Sequence, residues 1–137
     1  NYVFDGNFYE IETNNKSWWR WSKNKTSCVY LINRNDIKNT LKVSLRLLPF
    51  NTKNMGRKYD ILLNKKVCYS GKIGDEARFL VKLPADSISE LQITSNCEPE
   101  VDGDRHLAYC VHNFNVEEPC DGFTFKIAEY EIPKEGN

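Results

Sequence analysis

Residues Leu41-Lys42-Val43-Ser44-Leu45-Arg46-Leu47 alternate strictly between apolar and polar side chains. Successive side chains of an extended chain point to opposite faces, so Leu41, Val43, Leu45 and Leu47 fall on one side and Lys42, Ser44 and Arg46 on the other. That is the pattern of a strand packed on one face and wet on the other, and it cannot be laid on a helix. Pro49 ends it, since proline offers no N–H to a ladder. No segment of the chain shows a convincing 3.6-residue period, so the whole fold is expected to be built from strands.

Shorter runs repeat the theme. Asn1 to Glu12 reads as two extended pieces around Asp5-Gly6-Asn7, followed by a polar loop at Thr13 to Lys16. Trp18 to Ser22 and Ser27 to Ile32 are strand-like, with a loop at Lys23 to Thr26 and a polar, turn-like stretch from Asn33 to Asn39. Asn51 to Arg57 is a loop. Tyr59 to Leu63 and Val67 to Tyr69 flank Asn64-Lys65-Lys66 as in a tight hairpin, because asparagine tolerates positive φ. Gly71 to Glu76 reads as a loop, Arg78 to Leu83 as a strand with Phe79, Val81 and Leu83 on one face, and Asp86 to Ser89 as a helical turn or loop. Glu90 to Ser95 is a strand with Leu91 and Ile93 inward. Asn96 to His106 is the longest polar stretch, and Leu107 to Val116 reads as a central strand. Phe123, Phe125 and Ile127 share one parity and Ala128, Tyr130 and Ile132 the other, which predicts a β-bulge near Ile127 or Ala128. About nine short strands with turns every 8 to 12 residues or so compose an all-β, antiparallel, jelly-roll-like sandwich. One domain is expected over residues 1–132, with 133–137 a linker or tail.

Composition excludes several functions. Nineteen basic and nineteen acidic residues leave a net charge of zero, which removes the electrostatic case for nucleic-acid binding. No apolar run approaches the roughly 18 residues of a membrane span. The chain opens without a Met or a signal peptide, and the expectation is a domain excised from a longer protein. Cys28, Cys68 and Cys110 lie in apolar strand-like runs. With Cys97 and Cys120 they make an odd set without CxxC spacing, read as reduced core thiols, one or two disulfides being the alternative. That set points to the cytoplasm; the sequons Asn15-Lys16-Ser17 and Asn24-Lys25-Thr26 would suit a secreted protein instead.

All three tryptophans fall in Trp18-Trp19-Arg20-Trp21. If the segment is extended, Trp19 and Trp21 share one face and Trp18 and Arg20 the other. Flat aromatic faces stack on pyranose rings, so Trp18 and Trp19 with Tyr9 are candidates for a sugar platform, and Trp21 beside Arg20 reads as structural. Asp104-Arg105 reads as an inter-loop ion pair reaching back to Glu12 or stacking on Trp21, or as a pair recognising ligand hydroxyls. Glu98, Glu100, Asp102 and Asp104 are hard oxygen ligands that could hold Ca²⁺ or form a solvated acidic loop. His106, His112, Cys97 and Cys110 lack zinc spacing, and no catalytic constellation is visible. The expectation is therefore no catalytic residue, no metal and no cofactor.

Phe8-Tyr9-Glu10-Ile11-Glu12, then Trp19-Arg20-Trp21-Ser22, the hairpin Tyr59 to Lys66, and Asp104-Arg105-His106-Leu107-Ala108 before the next strand occur in a recognisable order. The order resembles the β-sandwich accessory domains fused to bacterial glycosyltransferases of surface-polysaccharide assembly. Lys65 and Ala108 stand where glycine is common in that pattern. The resemblance implies a non-catalytic, carbohydrate-binding domain, its enzyme lying elsewhere in the full-length protein. It would bind a glycan acceptor or growing polysaccharide, or dock on its own catalytic domain and position the enzyme in its assembly. Tyr9, Trp18, Trp19, Asp102 and Arg105 are the residues expected to touch ligand.

Overall fold

The computed structural model describes residues 1–119. In chain order the strands are β1 (Tyr2–Phe4), β2 (Glu12–Thr13), β3 (Trp18–Ser22), β4 (Thr26–Asn33), β5 (Asn39–Leu48), β6 (Lys58–Leu63), β7 (Lys66–Lys72), β8 (Glu76–Leu83), β9 (Ser87–Ser95), β10 (Glu100–Asp102), β11 (Arg105–Leu107) and β12 (Tyr109–Glu117). They form one antiparallel sheet in the order β1-β4-β9-β6-β7, a second in the order β2-β3-β12-β5-β8, and a separate ribbon β10-β11. The chain changes sheet at β1–β2, β3–β4, β4–β5, β5–β6, β7–β8 and β8–β9, and again between β9 and β12 across the ribbon, which makes a jelly-roll-like sandwich.

The alternation in Leu41 to Leu47 does what its period dictates. Val43, Leu45 and Leu47 are buried from the second sheet against Val29, Leu31, Ile61, Leu63, Leu91 and Ile93 from the first, while Leu41 packs at the margin. Each such fully buried aliphatic side chain contributes about 1.5–3 kcal/mol. Ala77, Phe79, Val81 and Leu83 of β8 are likewise buried, on the parity the sequence shows. One side of the sandwich is closed by aromatic rings: Phe4 meets Phe8 at 4.8 Å, Phe114 at 5.5 Å and Trp18 at 6.0 Å between centroids, all edge-on. Between the sheets, the buried Tyr109 hydroxyl is hydrogen-bonded to Ser27 Oγ and lies 3.3 Å from the Ile93 carbonyl oxygen.

Several expectations change. The strands number twelve among the described residues, more than nine, because the polar stretch from Asn96 to His106 contains the β10-β11 hairpin. Its turn is held by Gly103 at φ 64°, and its register sets Asp102 opposite Arg105. Asp86 to Ser89 forms no helical turn: Asp86 sits at φ 48° and β9 starts at Ser87. Gly71 belongs to β7, not to a loop. A side chain there would meet the Tyr69 ring at 3.0 Å and the Tyr59 hydroxyl at 3.1 Å. The β6-β7 turn carries positive φ at both Asn64 (48°) and Lys65 (77°), the signature of a type I′ turn, so the chain makes it without the usual glycine. The ladder between β12 and β5 shifts between His112 and Asn115, where Asn113 has φ 52°. The expected strand and bulge at 123–132, Cys120 and the tail at 133–137 lie outside the described residues.

Candidate functional site

The outward face of a solvated antiparallel sheet is normally polar. On the second sheet it is polar along β5 and β8 but not along β3. β3 alternates as its parity requires: Ser22 is buried and Trp18 packs at the core margin, while Trp19 and Trp21 face away from the core. Directly opposed residues of an antiparallel pair point the same way. Trp19 is opposed by Glu12 of β2 and His112 of β12, and Trp21 by Cys110. The Trp19 and His112 rings stack at 6.2 Å with 22° between planes, and Trp21 meets the ring of Phe50 edge-on at 5.9 Å. Phe50 arrives here because Pro49 turns the chain after β5. The result is a strip of three aromatic rings and an imidazole on a water-facing surface.

A charged border lies along the β2 side. Arg105 donates from Nη1 to Glu12 Oε2 at 2.9 Å and from Nη2 to Asp102 Oδ2 at 3.0 Å. Its Cζ stands 5.5 Å from the centre of the Tyr9 ring. Bonding to Asp102, then to Glu12, holds the guanidinium above its ordinary pKa. The three groups are a third or more exposed, so each pair contributes only about 0–1 kcal/mol, and their effect is to fix where the donors and acceptors stand. The expected reach to Glu12 is present; the acidic partner within the hairpin is Asp102, not Asp104, and the guanidinium lies on Tyr9, not Trp21.

Four of the five residues expected to touch ligand, Tyr9, Trp19, Asp102 and Arg105, thus gather along this face. Trp18 does not join them, so Trp18 and Trp19 cannot form one platform. Tyr9 is already engaged: Lys23 Nζ lies 5.0 Å from its ring centre and its hydroxyl accepts the His106 N–H at 2.9 Å. Its place in the strip is taken by Trp21 and Phe50. The parity of Trp21 with Trp19 was the sequence signal for this; nothing in the sequence pointed to Phe50.

The acidic residues at 98–104 are dispersed. Glu98 pairs with Lys25 at 2.8 Å, Glu100 accepts from Asn51 and Asn54, and Asp102 is bonded to Arg105. Among the described residues no group of three or more His, Cys, Asp or Glu side chains is placed to hold a metal ion. Cys110 and His112 share the outer face, yet their electrostatics oppose a thiolate–imidazolium pair. Burial pushes the Cys110 thiol up to about 12, and burial followed by the Arg46 charge pushes His112 down.

With this geometry the chain can be set beside known proteins. No protein-family model matches the sequence, and no curated protein matches it. Among solved structures, the secreted serine protease VesC from Vibrio cholerae superposes with a TM-score of 0.50 at 10% identity, over 85% of this chain and 24% of that one. This likeness shows the fold, a β-sandwich. The chain is also similar to CBM35 from Paenibacillus barcinonensis, with TM-score 0.45, 15% identity, and 86% of this chain and 93% of that chain covered. A family 35 carbohydrate binding module from Clostridium thermocellum gives 0.42 and 14%, over 82% of this chain and 97% of that one.

Proposed function

We propose that the domain is a non-catalytic glycan-binding module whose ligand lies on the outer face of the second sheet. The observation that carries this reading is the strip of Trp19, Trp21 and Phe50 on a surface that should be polar. Sugars present C–H-rich faces that stack on aromatic rings, and their hydroxyls need donors and acceptors at the border. Trp19 and Trp21 are two residues apart on one strand, about 7 Å, so consecutive rings of an extended polysaccharide can meet consecutive indoles. Arg105, Glu12 and Asp102 supply the hydroxyl partners and are already oriented by one another.

The carboxylates of the border are spent on one guanidinium and the nearby thiol is held protonated, which supports binding without turnover. The resemblance to glycosyltransferase accessory domains supports a place beside such an enzyme, on its acceptor or its growing polymer. Free thiols at Cys28, Cys97 and Cys110 support a reducing, cytoplasmic setting. Docking on the catalytic domain is the second reading, favoured by the extension of the strip through Phe50, which is wider than one sugar ring.

A glycan-array screen of the protein, followed by tryptophan-fluorescence titration of each hit, tests the proposal. A saturable, sugar-specific change in emission is expected. An array without a hit, or a hit that leaves all tryptophan emission unchanged, removes the glycan reading and leaves docking.

A further inference from the structure

The edge strands of the two sheets are unequally protected. An exposed edge is normally guarded by charged side chains, proline, bulges or brevity. β7 begins and ends in lysine, and its ladder with β6 shifts between Ile61 and Leu62. β8 carries Glu76, Arg78 and Lys82, and β2 is 2 residues long. β1 is Tyr2-Val3-Phe4, without a charge, a proline or a bulge. Its pairing with β4 continues past both ends, since the Ile32 N–H donates to the Asn1 carbonyl at 2.8 Å and the Asp5 N–H to the Cys28 carbonyl at 2.9 Å. Hydrogen-bonded pairs alternate along an antiparallel ladder, so Asn1, Val3 and Asp5 bond toward β4, and the N–H and C=O groups of Tyr2 and Phe4 point the other way. β1 ends its sheet, so these groups meet no strand among the described residues.

The open edge borders a recess of about 580 Å³, whose opposite wall is Ile11, Thr13, Trp18 and Arg20. Val3 (53%), Ile11 (54%) and Tyr2 (37%) are exposed around it. Arg20 Nε donates to the Tyr9 carbonyl at 2.9 Å, and its Cζ lies 4.9 Å from the centre of the Phe4 ring. These two contacts fix the plane of the guanidinium. Among the described residues no carboxylate meets its Nη groups, whereas Arg105 holds two carboxylates.

We propose that β1 takes up an extended peptide segment of a partner protein as an added strand. Backbone hydrogen bonds to Tyr2 and Phe4 supply the affinity, and alternate side chains supply the specificity. Directly opposed residues point the same way, so the partner residues opposite Tyr2 and Phe4 turn inward with those two rings. The one opposite Phe4 arrives beside the guanidinium of Arg20 and is acidic. The one opposite Tyr2 enters beside Ile11 and Trp18 and is apolar. The partner is therefore recognised by an acidic and an apolar residue two positions apart in an extended segment. This surface lies at the margin of the sandwich, apart from the Trp19–Trp21 strip, and does not rest on the glycan reading.

The test is a ¹H–¹⁵N titration of the protein with the capped peptide Thr-Val-Thr-Glu-Thr-Val-Thr, which presents that pattern in both chain directions. Saturable shifts of the Tyr2 and Phe4 amides and of the Trp18 indole N–H are expected, with hydrogen exchange of the two amides slowed. Glutamine in place of the glutamate is expected to weaken binding about tenfold, the loss of one charged contact. Arg20→Gln is expected to weaken binding of the glutamate peptide by a similar factor and to abolish the difference between the two peptides, which mere loosening of the Tyr9 contact would not do. A peptide N-methylated at the glutamate and at the next threonine cannot complete the ladder in either direction and is expected to lose measurable binding. Unshifted Tyr2 and Phe4 amides, full affinity in the methylated peptide, equal affinity of the glutamate and glutamine peptides, or unaltered affinity in Arg20→Gln overturns the proposal. A response confined to the Trp19 and Trp21 indoles also overturns it and assigns peptide docking to the outer face.

Discussion

Trp18 and Trp19 are neighbours in sequence and opposites in structure, so replacing each by alanine separates folding from binding. Trp18 packs on the core margin, with its ring 6.0 Å from Phe4. A fully buried aromatic truncated to alanine costs about 3–5 kcal/mol, and half-burial brings the expected cost to about 2 kcal/mol. Trp19 touches the imidazole of His112 on the outer face, and losing that stack costs about 1 kcal/mol or less. In binding the order reverses. A central aromatic contact removed from a ligand face costs about 2 kcal/mol, about 30-fold in Kd. Urea unfolding monitored by circular dichroism, together with titration of an array hit, reads both quantities on the same samples. Trp18→Ala is expected to unfold at lower urea and to bind the outer-face glycan with near-native affinity. Trp19→Ala is expected to unfold near the native midpoint and to bind about 30-fold more weakly. Full affinity in Trp19→Ala, or lost affinity in a Trp18→Ala protein of native stability, would refute the assignment of the two faces.

Three further outcomes follow from the same geometry. Tyr109→Phe strands the buried Ser27 hydroxyl and is expected to cost about 1–3 kcal/mol in urea unfolding; adding Ser27→Ala should cost less than the sum of the two, and strict additivity would deny the bond. Lys65→Gly relieves a left-handed lysine, about 1–2 kcal/mol. Against this stand the freedom glycine gains on unfolding and an exposed pair with Glu90 at 3.1 Å. A net gain of about 0.5 kcal/mol is expected, and a clear loss would contradict the turn assignment. His112 lies below its ordinary 6.5 through burial first and the Arg46 charge second. The unfolded chain therefore takes up the proton more readily. The neutral ring's contribution is whole above about pH 6.5 and is lost as pH falls through the lower folded value. Unfolding at pH 7.5 and pH 5, in the native protein and in His112→Gln, should show a smaller acid loss in the variant; equal losses would remove His112 as the cause.

Most of the sandwich could be read from alternation, because burial on one face leaves a period of two wherever a strand lies over the core. Leu41 to Leu47 and Phe79 to Leu83 are the plainest cases. The same rule separated Trp18 from Trp19. It failed for Glu100 to Leu107, since the β10-β11 ribbon lies outside both sheets and has little apolar alternation to display. It failed at Gly71 because glycine, a loop signal in general, is required here by the close approach of Tyr59 and Tyr69. Asp102 could not be told from Asp104 as the partner of Arg105, because the choice depends on where the turn falls within Asp102 to Arg105. Phe50 and the recess at Arg20 depend on how separate strands come to lie beside one another, which local patterns do not encode.

The outer face joins distant parts of the chain. Tyr9, Glu12 and the tryptophans come from its beginning; Asp102, Arg105 and His112 come about ninety positions later, Arg105 and Glu12 being 93 apart. Long-range strand pairing is slow to form, because the chain between must be ordered before its contacts are made. During synthesis the tryptophans leave the ribosome early and wait, exposed, until β12 slots between β3 and β5. The outer face is therefore complete only once β12 has paired with β3. The interval in which those indoles lack β12 is also when the young chain is most open to association with other chains.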